Sequence, residues 1–283
     1  MTPMPHPFRS TRRSSQPPPR ALITGASAGI GEGFARALAA RGSDLVLVAR
    51  RAERLRDLAD ELVTTHGIAC DVVPFDLTAE NVGEALRTTV EGRVDLLINN
   101  AGFATQGPFV DTDPREYRRE IAVDVLAVVE LSRAFLPAMI ARGQGGIINV
   151  SSTTAFQPVP SMAVYSASKA FVLSFGQSLW YEARQHGVTA FTLAPGPTRT
   201  EFFDVIGDSA TVVGSFQTPD QVVATGLRAL DRRWTPPHVV SGRRNAVAAH
   251  LAGLAPRRIL LPVLDRVMHP TTSTDHGGDR VHP

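Results

Sequence analysis

Residues 20–31 read RALITGASAGIG. A short apolar run rich in β-formers ends in threonine, a glycine-rich turn follows, and a helical pattern, EGFARALAAR, starts at once. Three glycines fall as Gly25-x-x-x-Gly29-x-Gly31. Glycines at a strand-to-helix turn let the backbone come close to a pyrophosphate, and the first turn of the helix offers free N–H groups and the positive end of its dipole. Turns use glycine in any case, so the spacing alone says little. Its place between a strand and a helix makes it a dinucleotide-binding loop.

Outward from this loop, short apolar runs alternate with longer helical patterns. The strands are expected at 20–24, 44–49, 69–75, 94–99, 145–151, 188–194 and, weakly, 238–241. The helices are expected at 29–41, 51–65, 79–91, 114–142, 163–186 and 218–231. Continuous apolar strands separated by helices build βαβ units on a parallel sheet, with right-handed crossovers. The expected fold is α/β: a Rossmann-like, doubly wound parallel sheet of about seven strands, helices on both faces, in one domain over residues 20–242. Helical patterns 121–140 and 163–186 are apolar over much of their circumference, so part of that surface is expected against another subunit.

Composition narrows the function classes. Of 283 residues, 43% are hydrophobic and 20% charged, enough for a full core. The net charge of +2 carries no basic stripe interleaved with aromatics, so nucleic acid is not an expected partner. Lone Cys70 excludes an internal disulfide, and no Cys/His cluster suggests a metal site. No apolar run reaches the ~18 residues of a membrane span. Residues 1–19 and 271–283 read as disordered tails, although an arginine- and serine-rich, acid-poor start also resembles a transit peptide. A cytoplasmic, reducing setting is expected. Segment 243–270 is helical, basic and amphipathic, interrupted at Pro256 and Pro262. It is expected to close the fold, with weak peripheral membrane contact as the alternative.

In an open α/β sheet ligands bind beyond the carboxyl ends of the strands. The residues that follow the strands here are TGASAGIG (24–31), Arg50, Asp76, NNAG (99–102), Ser151-Ser152 and PGPT (195–198). Six strands thus deliver distinctive residues to one edge. A fold that prefers NAD usually has an acidic residue at the end of the second strand; this chain has Ala49 followed by Arg50. A guanidinium suits a 2′-phosphate, so NADP(H) is preferred, with NAD(H) still possible.

Lys169 is the one lysine among 29 lysines and arginines, and it stands four residues after Tyr165 in YSASK (165–169). Positions i and i+4 of a helix share one face. A phenol has a pKa near ~10, and a close ammonium favours the phenolate. Ser152, at the end of the preceding strand, aims a hydroxyl at the same crevice. This is acid–base equipment for a carbonyl/alcohol pair, with hydride from a nicotinamide. A compact ammonium can meet two ribose hydroxyls beneath the phenol where a planar guanidinium would not fit.

These motifs, with Ser152 thirteen residues before Tyr165, resemble the short-chain dehydrogenase/reductase family over about residues 20–240. The resemblance implies an oxidoreductase with Tyr165 as general acid, Lys169 tuning it and Ser152 steadying the substrate oxygen. It implies cofactor contacts from Gly25, Ser27, Gly29, Ile30 and Gly31, from Arg50, Asp76 and Leu77, and from Asn99, Ala101 and Gly102. Tyr165, Lys169, Pro195, Gly196 and Thr198 complete the set, with Asp76 on the adenine, Asn99 bracing the central strands and Pro195, Gly196 and Thr198 at the nicotinamide end. It also implies a homodimer or homotetramer. One position departs: Asp124 stands where the family usually has an asparagine that holds a relay water. A carboxylate there would raise the lysine pKa and weaken its pull on Tyr165, or hold the same water. A lid is expected at 199–217 and, with Phe103, Phe156, Val159 and Met162, makes a mostly apolar pocket for a lipophilic ketone, aldehyde or secondary alcohol. The alternative is a non-catalytic NADP(H)-binding sensor on the same fold.

Overall fold

The computed structural model describes residues 18–201 and 215–268. Seven strands form one parallel sheet: β1 (Arg20–Thr24), β2 (Asp44–Ala49), β3 (Cys70–Pro74), β4 (Leu96–Asn99), β5 (Gly145–Val150), β6 (Val188–Ala194) and β7 (His238–Val240). Their order is β3-β2-β1-β4-β5-β6-β7. The chain winds outward from β1 to β3, then returns to the other side of β1, so the strand order reverses between β1 and β4. That switch opens the crevice where such sheets bind ligands.

Helices α1 (Gly29–Ala40), α2 (Ala52–His66) and α7 (Pro219–Leu230) cover one face. Their apolar sides, with Phe34, Leu38, Leu55, Leu62, Val222 and Leu227, pack on Ile23, Leu47, Ile148 and Phe191. On the other face lie α3 (Val82–Thr89), α5 (Ala127–Arg142) and α6 (Ala163–Arg184), which bury Leu86, Leu131, Phe135, Met139 and Leu179 on Leu22, Val46, Leu97 and Ile147. Central strands buried on both faces need the uninterrupted apolar runs seen in the sequence.

Three expected elements differ. The helix read as continuous over 114–142 is α4 (Pro114–Ile121), a π-helical turn (Ala122–Leu126) and then α5. The wider turn shifts the helical phase and points Asp124 inward, fully buried. The helix expected at 79–91 starts only at Val82, because Thr78 turns back to donate its N–H and O–H to Asp76 and Asn81 adopts a left-handed φ of 54°. The last segment folds as α8 (Arg243–Leu254) and α9 (Arg257–Met268). Pro256 separates them, but Pro262 lies inside α9, where the proline removes one hydrogen bond without ending the helix.

Candidate active site

The glycine loop and the end of β4 are locked to each other. Gly25 has φ +67°, and a Cβ on it would stand 2.9 Å from the Cα of Ala101. A Cβ on Gly31 would fall 2.3 Å from the carbonyl oxygen of Gly25. Asn100 completes the brace: its amide Nδ2 donates to the carbonyl of Thr24 (2.9 Å), and its backbone N–H donates to Thr24 Oγ1 (3.0 Å). The first turn of α1 then faces a cleft of about 540 Å³ with no side chain capping it. A glycine cradle at an uncapped helix start fits a pyrophosphate.

Gly25, Ser27, Gly29, Ile30, Arg50, Asp76, Leu77, Ala101, Gly102, Ser152, Tyr165, Lys169, Pro195, Gly196 and Thr198 all line this cleft. Gly31 and Asn99 do not border it. Gly31 lies beneath the loop, where only a missing side chain lets it pack. Asn99 is buried and donates to Asn149 Oδ1 (2.9 Å) and Ser132 Oγ (3.2 Å), so it braces β4 against β5. Arg51 is an addition to the sequence reading. Its guanidinium donates to Ser27 Oγ (3.0 and 3.1 Å) and to Glu201 (2.7 Å), so two arginines border the cleft at the end of β2.

Ser152 caps a short 3₁₀ turn (Thr153–Phe156), and its Oγ accepts from the N–H of Thr154 at 3.1 Å. It also hydrogen-bonds with Tyr165. Tyr165 and Lys169 share a buried face of α6, with Nζ 5.5 Å from the centre of the phenol ring. Ser151 donates to the carbonyl of Lys169 (2.7 Å), which seats that turn on β5. Lys169 Nζ forms an ion pair with Asp124 Oδ2 at 2.8 Å, while Asp124 Oδ1 accepts from the N–H of Phe103 (3.1 Å). Gly102 makes room for the pair: a Cβ there would lie 2.9 Å from Nζ and 3.0 Å from Oδ1.

Electrostatics correct one expectation. Burial pushes the Tyr165 phenol above its ordinary pKa, Lys169 pulls it down, and Asp124 pushes it up again; the net direction is up. The ammonium does not prevail, because burial outweighs it and Asp124 offsets it further. Burial disfavours the Lys169 charge most, but Asp124, Tyr165 and Glu120 together outweigh it and keep the ammonium protonated. Glu120, which the sequence reading missed, lies one turn before Asp124 and is also fully buried. Its Oε2 accepts from Thr105 Oγ1 (2.5 Å) and from the N–H of Thr105 (3.2 Å). Burial first, then Asp124, pushes its carboxyl up to about 7.

On the substrate side Phe103, Val159 and Met162 line the cleft, joined by Leu264 from α9. Phe156 does not line it; its ring lies tilted against those of His238 and His250, each 5.7 Å between ring centres. Most of the expected lid, 202–214, lies outside the described residues. Its two ends are tied together by a bridge between Thr198 and Gln217. Among the described residues no group of three or more His, Cys, Asp or Glu is placed to hold a metal ion, and no helix is long and apolar enough to cross a membrane.

The family model for short chain dehydrogenases matches residues 19–210. The chain belongs to the short-chain dehydrogenase family of oxidoreductases. A short chain dehydrogenase of Pseudocercospora fijiensis is 37% identical over 187 residues, 64% of this chain and 60% of that relative's length. Among solved structures, a short-chain dehydrogenase from Sphingobium yanoikuyae in complex with NADPH is 34% identical, with a TM-score of 0.75 over 83% of this chain and 94% of that one. The bulky-bulky ketone specific alcohol dehydrogenase from Comamonas testosteroni is 30% identical, with a TM-score of 0.69 over 86% and 98%. In this short-chain dehydrogenase Asp124 is ion-paired with Lys169, and Glu120 is buried one helical turn earlier.

Proposed function

We propose that this protein is an NADP(H)-dependent oxidoreductase that interconverts a lipophilic ketone or aldehyde and its alcohol. The observation that carries the reading is the convergence of Ser152, Tyr165 and Lys169 on a cleft whose far wall is the glycine loop. A nicotinamide bound there supplies hydride. Gly25, Ser27, Gly29 and Ile30 hold the pyrophosphate, and Asp76 and Leu77 border the adenine. Pro195, Gly196 and Thr198 flank the nicotinamide end. Arg50 and Arg51 offer two guanidinium groups to a 2′-phosphate, and no carboxylate stands at Ala49 for a ribose 2′-hydroxyl. The Sphingobium relative, in complex with NADPH, supports that preference.

Tyr165 gives its proton to the carbonyl oxygen in reduction and takes it back from the alcohol in oxidation. Ser152 shares that oxygen and fixes its distance from the phenol. Lys169 orients the ribose and stabilises the phenolate that reduction leaves. Phe103, Val159, Met162 and Leu264 present apolar surface, so the substrate flanking the carbonyl is lipophilic. The Comamonas relative's bulky ketone specificity supports the same class. The outward faces of α5 and α6 pair copies into a homo-oligomer. Leu251, Leu254, Ile259 and Val263, exposed on α8 and α9 among Arg258 and Arg266, suit weak contact with a membrane surface. A single cysteine, Cys70, agrees with a reducing, cytoplasmic setting.

The test is oxidation of NADPH by the purified chain across a panel of apolar ketones and aldehydes, with NADH in parallel. Turnover is expected with NADPH, and Tyr165→Phe is expected to lose it by at least about 10²-fold while NADPH fluorescence still reports binding. Turnover that survives in Tyr165→Phe overturns the chemistry. Equal use of NADH overturns the arginine assignment alone. NADPH binding without turnover of any carbonyl favours the sensor, for which Asp124 in the relay position is the one supporting observation.

A further inference from the structure

Helices α8 and α9 carry a surface that the proposed chemistry leaves unused. Along α8, Val247, Leu251 and Leu254 stand exposed at i, i+4 and i+7, so they form one stripe. Along α9, Ile259 and Val263 stand exposed at i and i+4, with Arg266 one turn further on the same side. Leu254 is 84% and Ile259 66% exposed, so neither belongs to the core. We infer that this surface docks on an anionic lipid bilayer, and that a lipophilic substrate enters the cleft from that bilayer past α9. The docking stands apart from the chemistry; the delivery rests on the reading of the cleft as a site for a lipophilic carbonyl.

Charge selects the occupant. Residues 243–268 hold five arginines, Arg243, Arg244, Arg257, Arg258 and Arg266, against one acidic residue, Asp265. Arg243, Arg244, Arg258 and Arg266 are exposed, and none is ion-paired with a carboxylate among the described residues. Water suits these guanidinium groups and disfavours the aliphatic side chains between them. An anionic bilayer surface accepts both: aliphatic side chains enter the headgroup boundary while arginines meet the phosphates. A second copy of this chain does not, because a two-fold axis through the surface would bring these arginines against their own copies.

The same helices border the substrate side of the cleft. Gly253 of α8 packs near the carbonyl of Phe156, where a Cβ would lie 3.7 Å away, and Arg257 at the start of α9 donates to that carbonyl at 3.5 Å. Phe156 ends the 3₁₀ turn that Ser152 caps. One position beyond Val263, Leu264 is buried and lines the cleft with Val159 and Met162. Helix α9 is therefore apolar on two sides, with Ile259 and Val263 outward and Leu264 inward. Pro262 has no N–H to give to the carbonyl of Arg258, which leaves α9 one hydrogen bond short between them. A ketone dissolved among acyl chains then passes from Ile259 and Val263 to Leu264 along aliphatic surface.

The experiment sediments the full chain with sucrose-loaded vesicles of phosphatidylcholine, alone or with about one third phosphatidylglycerol, at about 0.05 M and about 0.5 M salt. At low salt the parent is expected to bind the anionic vesicles at least about tenfold more tightly than the neutral ones, and at high salt to lose most of that advantage. The double variant Leu254→Asp, Ile259→Asp is expected to bind anionic vesicles at least about tenfold more weakly, with unchanged circular dichroism because both side chains stand in solvent. Arg258→Gln with Arg266→Gln is expected to lower the anionic preference about tenfold. Turnover gives a second readout. On a ketone carried in anionic vesicles, the Leu254→Asp, Ile259→Asp variant is expected to lose about tenfold in kcat/KM, and on a water-soluble ketone to match the parent. Parent binding that is equal on neutral vesicles, absent from both, or unchanged in that variant overturns the docking. A parent that ignores vesicles, with a variant that elutes smaller in size-exclusion chromatography, overturns it in favour of a second copy. Vesicle binding with equal kcat/KM of parent and variant on the vesicle-borne ketone overturns the delivery. If the parent turns over no carbonyl, the oxidoreductase reading and the delivery fail together, while sedimentation still decides the docking.

Discussion

Lys169 is held so closely that its substitution tests shape apart from charge. Nζ lies 2.8 Å from Asp124, and a single carbon added at Gly102 would approach it to 2.9 Å. A guanidinium keeps the charge but is planar and larger. Lys169→Arg is therefore expected to lower kcat by about 10²-fold and to raise KM for NADPH, measured by steady-state kinetics. An undiminished kcat would show that charge alone suffices. Glu120 makes a second prediction at this scale. Its carboxyl is raised from 4.5 to about 7 in the folded protein. The stability it contributes is thus fully present below the unfolded value near 4.5 and is lost as pH rises through about 7. Thermal unfolding of the cofactor-free protein is expected to show that decline, and Glu120→Gln is expected to flatten it. Tyr165, Lys169 and Ser152 were legible in the sequence because i, i+4 spacing and a strand end fix their common direction. Glu120 was not. In EYRREIAVD it reads as one more charge on a solvated helix, and only the π turn beyond it reveals the buried side.

Elements carry that lesson further. The parallel strands were legible because both faces are buried and their side chains are apolar throughout. The π turn was not, since its one extra residue per turn leaves no mark in an apolar stretch such as IAVDVLAVV. Helix α6 shows why the site keeps its geometry. It lies on β6 through Gly176, where a Cβ would meet Thr192 Oγ1 at 2.0 Å. Relief requires either a new rotamer for buried Thr192 or a lift of α6 off the sheet, and Tyr165 and Lys169 ride on the same helix. Gly176→Ala is expected to cost about 1–3 kcal/mol in urea unfolding, the usual range for overpacking a filled core. Because α6 also carries the acid–base pair, kcat is expected to fall in the variant while NADPH binding at the glycine loop persists. A variant as stable and as active as the parent would mean that β6 gives way instead.

At the scale of the whole molecule, the sheet's second face carries the apolar surplus that the sequence displays over 121–140 and 163–186. Helices α5 and α6 bury one side on the sheet, yet Leu126 at the end of the π turn stays 53% exposed and Phe171 on α6 43% exposed. Ala163, Ala167, Phe171, Ser174, Ser178 and Tyr181 recur every three or four residues along the outward side of α6, which is small or aromatic and carries no charge. A self-complementary stripe of this kind suits the proposed homo-oligomer, in which a two-fold axis would lay it against its own copy. A stable pair of this kind buries roughly 1,200–2,000 Å² in all, which one helix supplies only together with its neighbour α5. Phe171 stands near the middle, so Phe171→Arg would place two guanidinium groups against each other across the axis, each without a carboxylate on the stripe to meet it. The parent is expected to elute as a dimer or tetramer in size-exclusion chromatography with light scattering, and the variant one step smaller with unchanged circular dichroism. Because the outward side of α6 lies opposite Tyr165 and Lys169, the monomeric variant is expected to bind NADPH still. A parent that is itself monomeric, or a variant that remains associated, would move the subunit contact away from α5 and α6.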